Sequence, residues 1–220
     1  MSLLPAIELE TTADPDAAII WLHGLGADGH DFAPIIPELN LPPELGIRFI
    51  FPHAPSRPVT VNGGFVMPAW FDIFEMDINR RVDIPQLMIS ADAIHEFVDR
   101  ELARGIDSRR VILAGFSQGG AVAYQVSLSR AQPLGGLIAM STYFATSGTI
   151  TLNEVNRQLP VEIHHGQYDP VVPIALGINA AEFLQEKGYS VTFRTYPMEH
   201  SVCPQQIEHI SRAIQQFLGK

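Results

Sequence analysis

The sequence predicts an α/β fold: a mostly parallel central sheet with helices on both faces. Three observations predict it. Short apolar runs recur along the whole chain, several of them are continuous rather than alternating, and helical stripes lie between them. Continuous runs are the mark of strands buried on both faces of a parallel sheet. Strand and helix in alternation call for right-handed crossovers.

The runs, in order, are Ala17–Leu22, Ile47–Phe51, Val111–Phe116, Gly136–Ser141, Val161–His165 and Val191–Tyr196. Each is expected to be a strand. Leu87, Ala91, Ile94, Val98 and Leu102 recur at helical spacing, and Gly105 sits where a helix stop belongs. Ala121–Val126 can continue as a helix from the preceding glycines, and Ile207, Ile210, Ile214 and Phe217 form a stripe near the end. Two regions break the rhythm. The stretch 52–84 holds Pro52, Pro55, Pro58 and Pro68 with Gly63 and Gly64, and no sustained period. A loop of that length inside a compact domain is usually functional. Residues 142–153 are rich in Ser and Thr and read as a second loop. No repeat or linker divides the chain, so 220 residues are expected to make one domain over 1–220, with 52–84 as a long loop insertion.

Composition excludes several function classes. Fourteen basic against twenty-four acidic residues give a net charge of −10, which a phosphate backbone would repel, so nucleic acid is not an expected partner. The single cysteine, Cys203, makes no internal disulfide and no four-thiolate zinc site; it reads as a small buried hydrophobe in a reducing compartment. The amino terminus lacks a charged n-region and a long apolar h-region, and no run reaches the ~18 apolar residues of a membrane span. A cytoplasmic chain without stable membrane insertion is the expectation.

The strongest local signal is Gly115-Phe116-Ser117-Gln118-Gly119, between an expected strand and an expected helix. GxSxG in that context is a nucleophile elbow, whose glycines admit a turn too sharp for side chains. By itself the pattern also arises by chance in a glycine-rich chain. A serine hydroxyl needs a base, and the base an orienting acid, in the chain order Ser, Asp, His. After Ser117 the chain has one aspartate, Asp169, and after Asp169 two histidines, His200 and His209. Asp169 opens an Asp-Pro turn past a strand end, and His200 lies in a loop past another. His209 lies off the apolar stripe of the last helix and reads as a solvated residue. Glu199, a rival acid, neighbours His200 and reads as a flanking charge. Acyl transfer further needs N–H donors for the oxyanion. Gln118, after the nucleophile, is one candidate; Leu25, in the glycine-rich turn after Ile19–Leu22, is the other.

Gly24-Leu25-Gly26-Ala27-Asp28-Gly29 also matches GxGxxG, but no acidic residue ends the next run, and prolines disturb the helix a dinucleotide would need. No cofactor is expected. The eight histidines include no His-Glu-x-x-His, and His164 and His165 point to opposite faces of a strand, so no metal is expected either. Phe65, Met67, Trp70 and Phe71 in the 52–84 stretch read either as a satellite core cluster or as an apolar wall for an acyl chain.

Together Leu22–Gly29 (LHGLGADG), Phe51–Pro55 (FPHAP), Val61–Gly64 (VNGG), Ala69–Asp72 (AWFD), Gly115–Gly120 (GFSQGG), Asp169–Pro173 (DPVVP) and Met198–His200 (MEH) resemble the phospholipase/carboxylesterase family, which includes acyl-protein thioesterases. The resemblance runs from about residue 5 to the end. It implies an α/β-hydrolase fold without a large cap, a triad of Ser117, Asp169 and His200, and oxyanion amides at Leu25 and Gln118. It places the loop around Trp70 at the border of the substrate groove, making Phe65, Met67 and Trp70 the expected substrate contacts. The expected activity is hydrolysis of carboxylic esters with short to medium acyl chains; the alternatives are thioester or lysophospholipid cleavage, or a non-catalytic binding protein on the same fold. The partner is a small-molecule ester or acylated substrate, and exposed apolar loops would permit a weak homodimer.

Overall fold

The computed structural model describes residues 3–78 and 80–219. Seven strands form one sheet: β1 (Ala6–Glu10), β2 (Ala17–Leu22), β3 (Ile47–Pro52), then β8 (Val111–Phe116), β9 (Gly136–Met140), β10 (Val161–Gly166) and β11 (Val191–Tyr196). Their order is β1-β3-β2-β8-β9-β10-β11. β1 runs antiparallel to β3, and every other pairing is parallel. The chain therefore steps outward from β2 to β3, returns to β8 on the other side of β2, and continues to β11. That reversal between β2 and β8 is the topological switch point, where a crevice opens at the carboxyl ends of the strands.

All six expected strands form. The continuous apolar runs have the predicted cause: Ala18, Ile20 and Leu22 of β2 enter one core and Ala17, Ile19 and Trp21 the other. The first core is closed by α2 (Ile84–Ala103), α3 (Gln118–Ser129) and α4 (Ile174–Glu186). The second is closed by α5 (Pro204–Phe217) and the single turn α1 (Ile35–Glu38). Asp83 caps α2 by accepting from the Gln86 N–H at 2.9 Å, Pro85 occupies its first turn, and Gly105 follows with φ +97°. Two of the unexpected elements lie in the main sheet and its covering helices. β1 is an edge strand with exposed residues, so its sequence carries no continuous apolar run. α4 buries only small residues and Leu184, too sparse a stripe to announce a helix.

The stretch 52–84 is not a loop throughout. It holds β4 (Ser56–Val59) paired with β5 (Phe65–Pro68), and β6 (Ile73–Glu75) paired with β7 (Arg81–Val82), both antiparallel. Strands of two to four residues are too short to register as a period, which is why the sequence shows none. Residues 142–153 carry no regular element, as expected. No helix of the described residues is long and apolar enough to cross a membrane.

Candidate active site

The elbow forms where β8 ends. Ser117 adopts φ 53° and ψ −119°, a left-handed strain that a non-glycine residue holds only when its surroundings enforce it. They do: the Ser117 N–H donates to Met140 C=O at 2.9 Å, and its own C=O accepts from Thr142 Oγ1 and from the Gly120 N–H. The flanking glycines are obligatory. A Cβ on Gly115 would lie 2.6 Å from the Gly119 carbonyl, and one on Gly119 would lie 2.5 Å from Leu22 C=O. β8, α3 and β2 can approach this closely only without side chains there.

Asp169 and His200 are 31 residues apart in sequence, and the loops after β10 and β11 bring them together. His200 Nδ1–H donates to Asp169 Oδ2 at 2.7 Å. Asp169 Oδ1 accepts from the N–H groups of Val171 and Val172 at 2.9 and 2.8 Å. Burial alone would raise the Asp169 carboxyl, but the bond from His200 and the two amides outweigh it and hold the group below the ordinary carboxylate range. The aspartate is thus a fixed anion, and its bond to Nδ1 leaves His200 Nε2 to face substrate. Ser117 and His200 line one cavity of about 260 Å³, with Phe116 seated 4.7 Å from the His200 ring.

Gly24 and Leu25 line the same cavity. A Cβ on Gly24 would lie 3.5 Å from Ser117 Cβ, so this turn abuts the elbow. The next two amides are committed, Gly26 N–H to Pro68 C=O and Ala27 N–H to Gly24 C=O. Among the described bonds, neither the Leu25 N–H nor that of Gln118, at the start of α3, has an acceptor in the chain.

The expected substrate contacts take other places. Trp70 is fully buried, donating Nε1–H to His23 C=O at 2.9 Å and its backbone N–H to Gln118 Oε1 at 2.7 Å. Phe65 points to solvent from β5 at 68% exposure. Met67 accepts a bond from Asn62 Nδ2 and sits behind Gly26. None of the three lines the cavity. Its apolar wall is Leu25, Ile73, Met76 and Val171, with Arg80 at the boundary. From the 52–84 stretch the wall takes Ile73 and Met76 rather than the aromatic side chains; the pairing of β6 with β7, which holds Ile73, left no signal in the sequence. Thr142, which braces the elbow, was likewise concealed in an irregular loop.

Of the other residues read from sequence, Glu199 is exposed as expected. His209 is half-buried and bonds Tyr196 Oη at 3.0 Å, so it is not simply solvated. Cys203 is half-buried just before α5 rather than enclosed in a core. His164 and His165 are both fully buried, the first against Glu162 and the second donating to Val172 C=O at 2.8 Å. The GxGxxG match leads into turns and the four-residue α1, with no long helix to receive a pyrophosphate. Asp28, His30 and His53 bring ligand-type atoms within 4.8 Å of one another, but His30 Nδ1 is bonded to Asp28 and His53 Nδ1 accepts from Gly29 N–H.

The model of the phospholipase/carboxylesterase family matches residues 6–218. Acyl-protein thioesterase 1 of Neurospora crassa is 37% identical, over 99% of this chain and 91% of that protein. Acyl-protein thioesterase 1 of Saccharomyces cerevisiae is also 37% identical, over 91% and 92%. The crystal structure of Zea mays acyl-protein thioesterase 2 superposes with a TM-score of 0.86 at 26% identity, over 98% of this chain and all of that one. The sheet order is that of the α/β-hydrolase fold, with no large cap among the described residues. A hydrolase by descent as well as by architecture, the chain belongs to the phospholipase/carboxylesterase family.

Proposed function

We propose that the protein is a serine hydrolase that cleaves carboxylic esters of short to medium acyl chains through a Ser117–His200–Asp169 triad. The observation that carries this reading is one cavity lined by a backbone-strained serine and by a histidine whose Nδ1 is tied to a buried anion at 2.7 Å. Ser117 Oγ attacks the acyl carbon as His200 Nε2 takes its proton. Asp169 keeps the imidazole in the required tautomer and stabilises the imidazolium. The N–H groups of Leu25 and Gln118 receive the negative charge on the carbonyl oxygen. His200 returns the proton to the leaving alkoxide, and a water molecule activated by the same nitrogen releases the acyl group from Ser117.

Support for a limited chain length comes from the cavity's far side. Arg80, which lines the cavity, donates to Val171 C=O and lies over the Tyr143 ring at 4.6 Å, so a charged group stands among the apolar walls of a space of only about 260 Å³. A second reading, thioester cleavage, is favoured by relatives named as acyl-protein thioesterases. Both use the same triad, and a graded panel of esters, thioesters and lysophospholipids ranks them. The triad itself is tested by a fluorophosphonate probe: labelling of the wild type that vanishes in Ser117→Ala supports it, and turnover unchanged by that substitution overturns it.

A further inference from the structure

The triad does not use His23 or Trp70, yet both are fully buried beside it with their polar groups engaged. The Ala54 N–H donates to His23 Nε2 at 3.1 Å. An imidazole nitrogen that accepts carries no proton, so the proton of the neutral ring is on Nδ1. Nδ1 lies 2.7 Å from Gly24 C=O and donates to it. That carbonyl belongs to the same planar peptide as the Leu25 N–H, and in a trans peptide the two point in opposite directions. Fixing the oxygen toward the His23 ring therefore fixes the Leu25 N–H away from it, in a residue that lines the cavity with Ser117.

The ring is itself held. Trp70 Nε1–H donates to His23 C=O at 2.9 Å, and the two rings pack at 5.2 Å. The Trp70 backbone is clamped from the other direction: its N–H donates to Gln118 Oε1 at 2.7 Å, and Gln118 Nε2 donates to Phe71 C=O at 2.5 Å. Ser90 Oγ donates to Trp70 C=O. A continuous chain of bonds thus joins the Gln118 side chain, Trp70, His23 and the Gly24–Leu25 peptide. Its two ends are Gln118 and Leu25, whose N–H groups have no acceptor among the described bonds.

We propose that His23, locked as the Nδ1–H tautomer and braced by Trp70, is a positioning residue that aims the Leu25 N–H at the oxyanion and fixes it relative to Gln118. The inference rests on the serine-hydrolase reading and goes beyond it. It also explains why Trp70 is buried: it is a strut between the halves of the oxyanion site rather than a wall of the groove. Burial, which disfavours a charged imidazole, lowers the His23 pKa despite the bond to Gly24, so the neutral ring persists.

A matched pair of variants separates positioning from packing. In His23→Asn the side-chain amide can overlay Nδ1 and still donate to Gly24 C=O. In His23→Gln the amide oxygen can overlay Nε2 and accept from Ala54, but the donor to Gly24 is gone. Removing an oxyanion donor outright costs about 10²–10³ in kcat, so misaiming one is expected to cost ~10-fold or more. His23→Gln is expected to lose that factor in kcat with KM little changed, and His23→Asn to stay within about 3-fold of wild type. Trp70→Phe, which deletes only the indole donor and some area, is expected to lose several-fold in kcat. Equal losses in the two His23 variants, or a folded Trp70→Phe with wild-type kcat, overturn the proposal. The tautomer is read on the unaltered protein by two-bond ¹H–¹⁵N correlations: an Nδ1-protonated His23 supports the proposal and an Nε2-protonated ring overturns it, whether or not any variant folds. Fluorophosphonate labelling of wild type keeps the failures apart. An unlabelled Ser117 sinks the hydrolase reading and this inference with it, whereas a labelled wild type with indistinguishable His23 variants sinks this inference alone.

Discussion

The elbow between β8 and α3 and the hairpin stretch 52–84 lie beside the same cleft, yet they are specified in different ways. At the elbow the constraint is steric: Gly115 and Gly119 must flank Ser117 because a Cβ on either would lie 2.5–2.6 Å from the backbone of α3 or β2. In the hairpin stretch the constraints are remote. Trp70 is placed by His23 and Gln118, 47 and 48 residues away, and nothing in its neighbours announces that. Steric exclusion of side chains leaves a signature in the spacing of glycines, whereas long-range hydrogen bonds to a side chain do not.

The largest test of this contrast is on the proposed triad. Asp169→Asn preserves shape but loses the anion that selects the His200 tautomer, and kcat is expected to fall about 10⁴-fold with the fold intact. Steady-state ester kinetics beside a thermal melt measure it; a loss below 10-fold would remove Asp169 from the chemistry. Next comes a pair of glycines, one from each region. Gly119→Ala drives a methyl group into the backbone of Leu22 and His23 and is expected to cost about 3 kcal/mol, at the upper end for overpacking. Gly63→Ala meets nothing within 4 Å and faces only its φ of +66°, for about 1 kcal/mol. Urea midpoints compare the two, and equal losses would erase the distinction between elbow and hairpin.

The sheet and the trio of Ser117, Asp169 and His200 were legible for the same reason as the elbow. A strand buried on both faces must be apolar throughout, and Ser117 is followed by a single aspartate. The edge strand β1, the sparse stripe of α4 and the inward turn of Ile73 were not legible. Their residues answer to what covers them, and cover is decided by the rest of the fold. Aromatic content pointed to Trp70 and Phe65, whereas the residues of that stretch that line the cleft beside Ser117 are Ile73, Met76 and Arg80.

Titration should show the same asymmetry, because buried imidazoles gather around the sheet's carboxyl ends. His23, His164 and His165 all have pKa values lowered, chiefly by burial. The unfolded chain then binds more protons than the folded one as pH falls below about 6.5. Stability is expected to be full above that pH and to decline between pH 6.5 and 5, each imidazole that charges on unfolding adding up to about 1.4 kcal/mol per pH unit. Melting temperature across pH 8 to 5 checks the sign. A rise on acidification would mean that these rings are charged in the folded state.

The smallest expected effect is also the most direct test of where substrate lies. Phe65 is exposed on β5, and Ile73, at 3% exposure, lines the cleft from β6, the next strand in the chain. Phe65→Ala removes an exposed ring that does not line the cleft beside Ser117, so stability should stay within about 0.5 kcal/mol and kcat/KM should not change for any acyl length. Ile73→Ala empties part of the wall, for about 2–4 kcal/mol of stability, and should raise KM most for the longest acyl chain accepted. If Phe65→Ala instead changed the chain-length preference while Ile73→Ala did not, the groove would run along the hairpin. The residues that sequence alone had chosen would then contact substrate, and the buried side chains around Ser117 would be packing only.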